Sequence, residues 1–458
     1  MTLNNAHSRL APFFARPGGR ILGLGVLILV LLIPLGMIND QVRQRSQQRD
    51  IAVADVAQSW GGPQTLAGPL LRLPYTHRWQ EARDEEIVER ERRGWLVLTP
   101  QTLSVVTNLD SEVRRRGIFE VPVYRADVRM RGHFLLPEAA SLPVTQDSID
   151  FGRAELLMGM QGPGSIAADS RVRVAGQPLQ LEPSAGQFGG QGVHAVVRNG
   201  ISAQALRLGV HFELDIEVRG SEQFALAPVA RQTTLELVSG WPHPGFRGSN
   251  LPAEHEISDR GFSARWSASN LGSGYPPVWL DKAVTREQLD QASFGVALVV
   301  PVDPYTMATR VAKYGALLLL LSFAAIWVME LLGGRPMHPV QYLLLGGSLC
   351  LFGLLQLALA EHIRFAAAFL AASSAVVLQA SWYAYIATQH RSRALFLGGL
   401  LAGWFGYLYV ILQAEDLAFL LGAMALFVAL TGVMWATRKV NWSSGSSWDV
   451  ADAVVEQP

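Results

Sequence analysis

A polar segment of 270 residues, Asn39 to Ala308, separates one apolar run near the N-terminus, Ile21 to Ile38, from five more crowded into the last third of the chain. A helix rises about 1.5 Å per residue, so roughly 20 apolar residues cross some 30 Å of hydrocarbon. The runs at 21–38, 314–332, 342–360, 365–386, 394–413 and 417–436 all meet that length. The fold class this predicts is a polytopic α-helical membrane protein with six transmembrane helices and one large outer domain. Its parts are a tail over 1–20, a first span over 21–38, the outer domain over 39–308, a five-helix bundle over 309–437 and a tail over 438–458.

The first run carries no charge and follows Arg9, Arg16 and Arg20. A signal peptide would have an apolar core of about 7–15 residues ending in a small-x-small site. This run is longer and leads straight into Asn39-Asp40-Gln41-Val42-Arg43, so an uncleaved anchor is expected. Orientation is read from Lys and Arg in short loops, which are retained in the cytoplasm. With the N-terminus inside, the inner loops and tail carry Arg335, Arg391, Arg393, Arg438 and Lys439, against Arg364 alone outside, beside Glu361 and ahead of Glu415 and Asp416. Both termini are therefore expected in the cytoplasm and the large domain outside. Arg43, Arg45 and Arg49 balance the arginines before the first span, which makes that span less decisive.

Basic and acidic residues cancel, 38 against 38, which argues against a nucleic-acid partner. The single cysteine, Cys350, falls in the third span, so no disulfide supports the outer domain. That domain is long enough to bury its own core.

Its pattern is mainly β. From Leu206 to Val218 the chain alternates without a break, with Leu206, Leu208, Val210, Phe212, Leu214, Ile216 and Val218 on one side. Arg207, His211, Glu213, Asp215 and Glu217 take the other, which predicts one long strand with a buried and a wet face. Val128–Leu136 and Phe294–Val302 repeat the theme, and shorter candidates are 70–74, 95–98, 102–109, 233–238 and 262–267. Gly61-Gly-Pro63, Gly186 to Gly192 and Trp241-Pro-His-Pro-Gly245 read as turns. An antiparallel sandwich or a pair of β subdomains is expected. Residues 39–58 should continue the first span as a helical stalk, stopped by Trp60-Gly-Gly-Pro63, and Thr285 to Ala292 should form a short helix.

No catalytic constellation is expected, and no enzyme. The outer domain has no Cys nucleophile, no Gly-x-Ser-x-Gly elbow, no His-Glu-x-x-His and no Walker loop. Gly186-Gln-Phe-Gly-Gly-Gln-Gly192 lacks the order and setting of a phosphate cradle. His194, His243 and His255 lack ligand spacing, so neither a metal nor a cofactor is assigned, and His211 reads as solvated. In the spans, Glu330 lies near an end where it reaches the headgroups. Gln356 and Gln379 lie deeper, where an amide normally bonds a neighbouring helix. Pro34 predicts a kink and Glu361-His-Ile-Arg364 a polar hairpin.

Several stretches in order resemble the bacterial inner-membrane family CreD, also called cell-envelope integrity protein. They are Gly68-Pro69-Leu70, Gly189-Gly-Gln-Gly-Val-His194, Trp241-Pro-His-Pro-Gly-Phe246, Gly261-Phe-Ser-Ala-Arg-Trp266, and Asp303-Pro-Tyr305 leading to Arg310 and Lys313-Tyr314. His338-Pro-Val-Gln-Tyr-Leu-Leu-Leu345 and Leu357-Ala-Leu-Ala-Glu-His362 continue it, so the resemblance runs from about residue 20 to residue 440. It implies support of the envelope under stress, expression tied to a two-component system, and tolerance to colicins and β-lactams. It supplies no catalytic residue, and Ser443 to Pro458 match nothing in it.

Three readings follow. The favoured one is a non-enzymatic envelope protein whose β domain binds a periplasmic protein or lipid partner, with exposed aromatics such as Trp241, Trp266 or Trp279. The alternative is a lipid-handling or transport protein with a polar cavity lined by Gln356, Gln379 or Glu330. The third, a membrane-bound hydrolase, needs a wet pocket joining His194 and His243 to an acid.

Overall fold

The computed structural model describes residues 17–83, 86–162, 165–183, 192–272, 274–280, 283–300, 304–333, 337–414 and 417–438. It divides into a membrane unit, within 1–48 and 302–458, and an outer unit, 49–301.

Among the described residues, six helices are long and apolar enough to cross a membrane. Helix α1 (Pro17–Trp60) continues without a break past Pro34 and through the expected stalk, because Gln, Arg, Ala and Val sustain a helix until Gly61, with φ +126°, turns the chain. Ala203–Leu208 forms α2 and Arg286–Gln291 α3 in the outer unit. The bundle comprises α4 (Pro304–Gly333), α5 (Pro339–Ala360), α6 (Phe365–Thr388), α7 (Arg391–Gln413) and α8 (Ala418–Thr437). Residues 39–48 group with the membrane unit: Val42 is buried, and the Arg45 guanidinium lies 3.4 Å from the Glu361 carboxylate.

Close approach of α1 to the bundle depends on small residues. A Cβ on Gly346 would meet Leu31 Cδ1 at 2.2 Å, and one on Gly315 would meet Leu35 Cδ1 at 2.7 Å. Leu31 and Ile38 share a core with Leu319, Phe323, Leu345 and Phe352.

In the outer unit, one sheet takes nine strands: β1 (Gln64–Arg83), β2 (Glu86–Leu98), β5 (Glu155–Gly159), β8 (Glu182–Pro183), β9 (Val193–Val196), β11 (Gln223–Ala227), β13 (Pro244–Gly248), β16 (Val278–Leu280) and β17 (Phe294–Leu298). The other takes eight: β3 (Pro100–Arg116), β4 (Phe119–Phe134), β6 (Arg171–Val174), β7 (Gln177–Leu179), β10 (Val210–Ser221), β12 (Gln232–Ser239), β14 (Glu254–Ser258) and β15 (Gly261–Ser269). Both sheets feed one core, with Leu70 and Leu73 of β1 in the same cluster as Val105, Val128 and Leu214 of β3, β4 and β10. Against the expected antiparallel sandwich or pair of β subdomains, most strand pairs are antiparallel, but β1 runs parallel to β11 and β12 parallel to β3, so each sheet is mixed. Neither parallel pair joins neighbours in sequence, and alternation alone carries no information about strand direction.

The long strand expected over Leu206–Val218 is also corrected. Ser202 Oγ accepts the Ala205 N–H at 3.1 Å and caps α2, and Gly209 at φ +102° ends it before β10 begins. Residues two apart on a helix point to opposite sides, so Leu206 is buried while Leu208 is 82% exposed. From Val210 onward the alternation holds: Val210, Phe212, Leu214, Ile216 and Val218 are all buried.

Candidate functional site

The histidines singled out in the outer unit do not converge. His194 lies on β9 and His243 immediately before β13, and the nine-stranded sheet places β5, β1, β11 and β17 between those two strands. At about 4.8 Å per strand the two rings stand far beyond the reach of a shared ligand. His255 is exposed against Phe246, with ring centroids 5.4 Å apart. His211 is exposed as expected, tilted against His133 across the β10–β4 pair at 5.6 Å. Among the described residues no group of three His, Cys, Asp or Glu could hold a metal ion. The glycine-rich stretch at 186–191 lies outside the described residues.

The tryptophans expected as exposed contacts are mostly core. Trp266 has no exposure and stacks on Phe294, and Trp279 is 5% exposed against Tyr275. Trp241 is half-buried, donating its indole N–H to the Val299 carbonyl at 3.0 Å. These rings fill the space between the sheets because their large apolar area outweighs one polar nitrogen.

Among the described residues of the outer unit, the exposed aromatic ring is Trp79. It sits on a ribbon formed where β1 and β2 run on beyond the sheet. Described β5 and β16 pairings reach only Arg72 on β1 and Leu96 on β2, while β1 and β2 pair with each other to Arg83 and Glu86. Side chains 77–80 and 89–93 are exposed on both faces. His77 faces Arg92 and Trp79 faces Arg90 in register, so these four share one side, with His77 and Trp79 stacked at 5.6 Å. On the other side Arg78 pairs with Glu91 at 3.3 Å. Sequence reasoning passed over this ribbon because its charges hide the strand period. The usable signal was its position between strands at 70–74 and 95–98, with no glycine or proline from Tyr75 to Arg93.

The end of α1 is fastened to the eight-stranded sheet. Trp60 donates its indole N–H to the Tyr124 carbonyl at 3.3 Å, and the guanidinium groups of Arg114, Arg125 and Arg219 lie 3.5, 5.6 and 5.2 Å from its ring centroid. One turn back, Arg116 pairs with Asp55 at 2.6 Å and Val56 packs on Val121 and Val123.

In the membrane unit, Glu361 is more than a polar hairpin residue. Its carboxylate is 10% exposed and lies 3.4 Å from Arg45 of α1, while accepting the Tyr305 hydroxyl of α4 at 3.5 Å. Glu330, expected at the headgroups, is 8% exposed and accepts the N–H of Met337, two residues before α5. Gln379 bonds Ser348 at 2.9 Å and ties α6 to α5. Gln356 is fully buried with neither amide atom bonded among the described residues.

Cavities among the described residues lie between the helices. One of about 450 Å³ is bounded by α4, α7 and α8, and one of about 470 Å³ by α6 and α7. Neither of these two is lined by Gln356, Gln379 or Glu330, the residues expected to line a polar cavity in the lipid-handling reading.

The sequence comparisons follow this architecture. The family model described as Inner membrane protein CreD matches residues 17–443, taking in α1, both sheets and the bundle. The inner membrane protein CreD of Escherichia coli (strain K12) is 32% identical over 425 residues, 91% of this chain and 91% of that protein. With six apolar helices and one β unit among the described residues and a match of that extent, the chain belongs to the CreD family of multi-pass inner membrane proteins.

Proposed function

We propose that this protein supports cell-envelope integrity without catalysis, its outer β unit lying in the periplasm and binding an anionic envelope partner through the β1–β2 ribbon. Both termini are then cytoplasmic. The observation that carries the reading is the ribbon face of His77, Trp79, Arg90 and Arg92, exposed and projecting past the core. A two-stranded ribbon with little burial gains little from folding alone, and a contact there adds stability through cations and a stacking ring. The family resemblance adds tolerance to colicins and β-lactams as the phenotype to read.

The test is complementation of a strain lacking the gene by Trp79→Ala combined with Arg90→Glu and Arg92→Glu. The expected result is normal membrane abundance with lost tolerance to β-lactam and colicin. Full complementation by that variant would remove the ribbon from the function.

A further inference from the structure

The cavity between α4, α7 and α8 has a polarity that neither the packing of the bundle nor the envelope reading uses. Its walls are apolar along Leu321 to Met329 of α4, Phe396 to Trp404 of α7 and Ala429 to Val433 of α8, while Ser392 and Arg393 stand at one end. From Arg393 to Trp404 the helix rises about 16 Å, which is half of the roughly 30 Å hydrocarbon layer and therefore one leaflet deep. The Arg393 end is at headgroup level. Two residues beyond Val433, Trp435 is exposed with the Arg438 guanidinium 4.7 Å over its ring, and such pairs sit at the membrane interface.

The third wall is poorly packed by protein. Only 6% of the apolar window of α8 is buried, against 50% for α4. A Cβ added at Gly432 would meet no atom within 4 Å. Empty apolar space facing lipid is costly, since its lining loses dispersion contacts, and a chain of the bilayer is the nearest filler.

We propose that this cavity holds one acyl chain of an anionic phospholipid, with its headgroup at Ser392 and Arg393. The chain takes the apolar walls, and the phosphate takes the cation at the rim. An arginine presents five N–H donors in a fork suited to phosphate, so it can bond a headgroup alongside another partner. Basic pockets between spans bind acidic headgroups by this chemistry.

The test uses the full chain in neutral detergent, with phosphatidylglycerol or phosphatidylcholine added, and reads the melting temperature. The expected result is a rise with phosphatidylglycerol that phosphatidylcholine does not match. Gly432→Phe, which fills the cavity from a position with free space, should abolish the rise. Arg393→Gln should weaken the dependence on phosphatidylglycerol by about tenfold. A photoreactive acyl chain on phosphatidylglycerol should label peptides within 321–329, 392–404 and 429–433, which keeps the test open should a variant fail to fold. An equal response to both lipids, an undiminished response in Gly432→Phe, or labelling confined to other helices would each overturn the proposal.

Discussion

The Arg114 guanidinium lies 3.5 Å from the centroid of the Trp60 indole, at the point where the 44-residue helix α1 ends on the eight-stranded sheet. Two further arginines flank the ring and its N–H is spent on Tyr124, so one side chain secures the last helical turn. Trp60→Ala should cost the outer unit about 2–3 kcal/mol through lost packing and cation–π contact. Limited proteolysis should then cut near residue 60, and Trp60→Phe should recover part of the protection.

Gly220 on β10 faces the buried Tyr124, whose hydroxyl donates to the Gln223 carbonyl at 2.6 Å. A Cβ at Gly220 would stand 2.3 Å from the Tyr124 oxygen. Gly220→Ala should therefore destabilise the unit by about 1–3 kcal/mol, seen as a lower melting temperature. In Gly220→Ala/Tyr124→Phe the ring carbons still stand 2.4 and 2.9 Å from the added Cβ, so the loss should persist.

Burial also pushes the Tyr124 phenol well above its ordinary 10.0. The folded chain keeps a proton that the unfolded chain releases above about pH 10, so stability falls as pH rises through that range. Ultraviolet titration should show Tyr124 ionising only as the protein unfolds, and Tyr124→Phe should flatten the alkaline decline.

On the ribbon, the hydrogen bond from Arg93, aided by Arg78 across the strand pair, holds the Glu91 carboxyl below its ordinary 4.5. A carboxyl depressed in the folded state stabilises it above the unfolded pKa, and that contribution fades as pH falls through the lower, folded value. Carbon-detected NMR should place the Glu91 midpoint below 4.5, and Arg93→Ala should move it upward.

Gln356 is buried in the bundle with neither amide atom bonded among the described residues. Replacing an unsatisfied buried group by an apolar one of like size is neutral or stabilising. Gln356→Leu should keep or raise the melting temperature in detergent. A stable variant that nonetheless loses β-lactam tolerance would give the amide a working role.

The spans were legible because crossing a bilayer is a local requirement of length and apolarity, and the expected 365–386 and 394–413 differ from α6 and α7 by at most three residues at an end. The same holds for α3, expected over 285–292, where the structure adds a local capping box of Thr285 and Gln288. Alternation placed the inner face of β10 from Val210 onward, but it ran two apolar residues too far, because a Ser cap and a glycine outweigh period at 202–209.

What the sequence by itself determined was therefore the local content: six membrane-length helices, a stalk, a β unit with its wet and dry faces, and no contiguous catalytic motif. Tertiary structure alone decided which strands run parallel, since β12 meets β3 across more than a hundred residues of chain. It also decided that Trp266 lies in the core while Trp79 stands in solvent, and that Glu361 meets Arg45 and Tyr305. Those outcomes depend on which surfaces are brought together after the local elements form, and residue type and spacing do not encode that pairing directly.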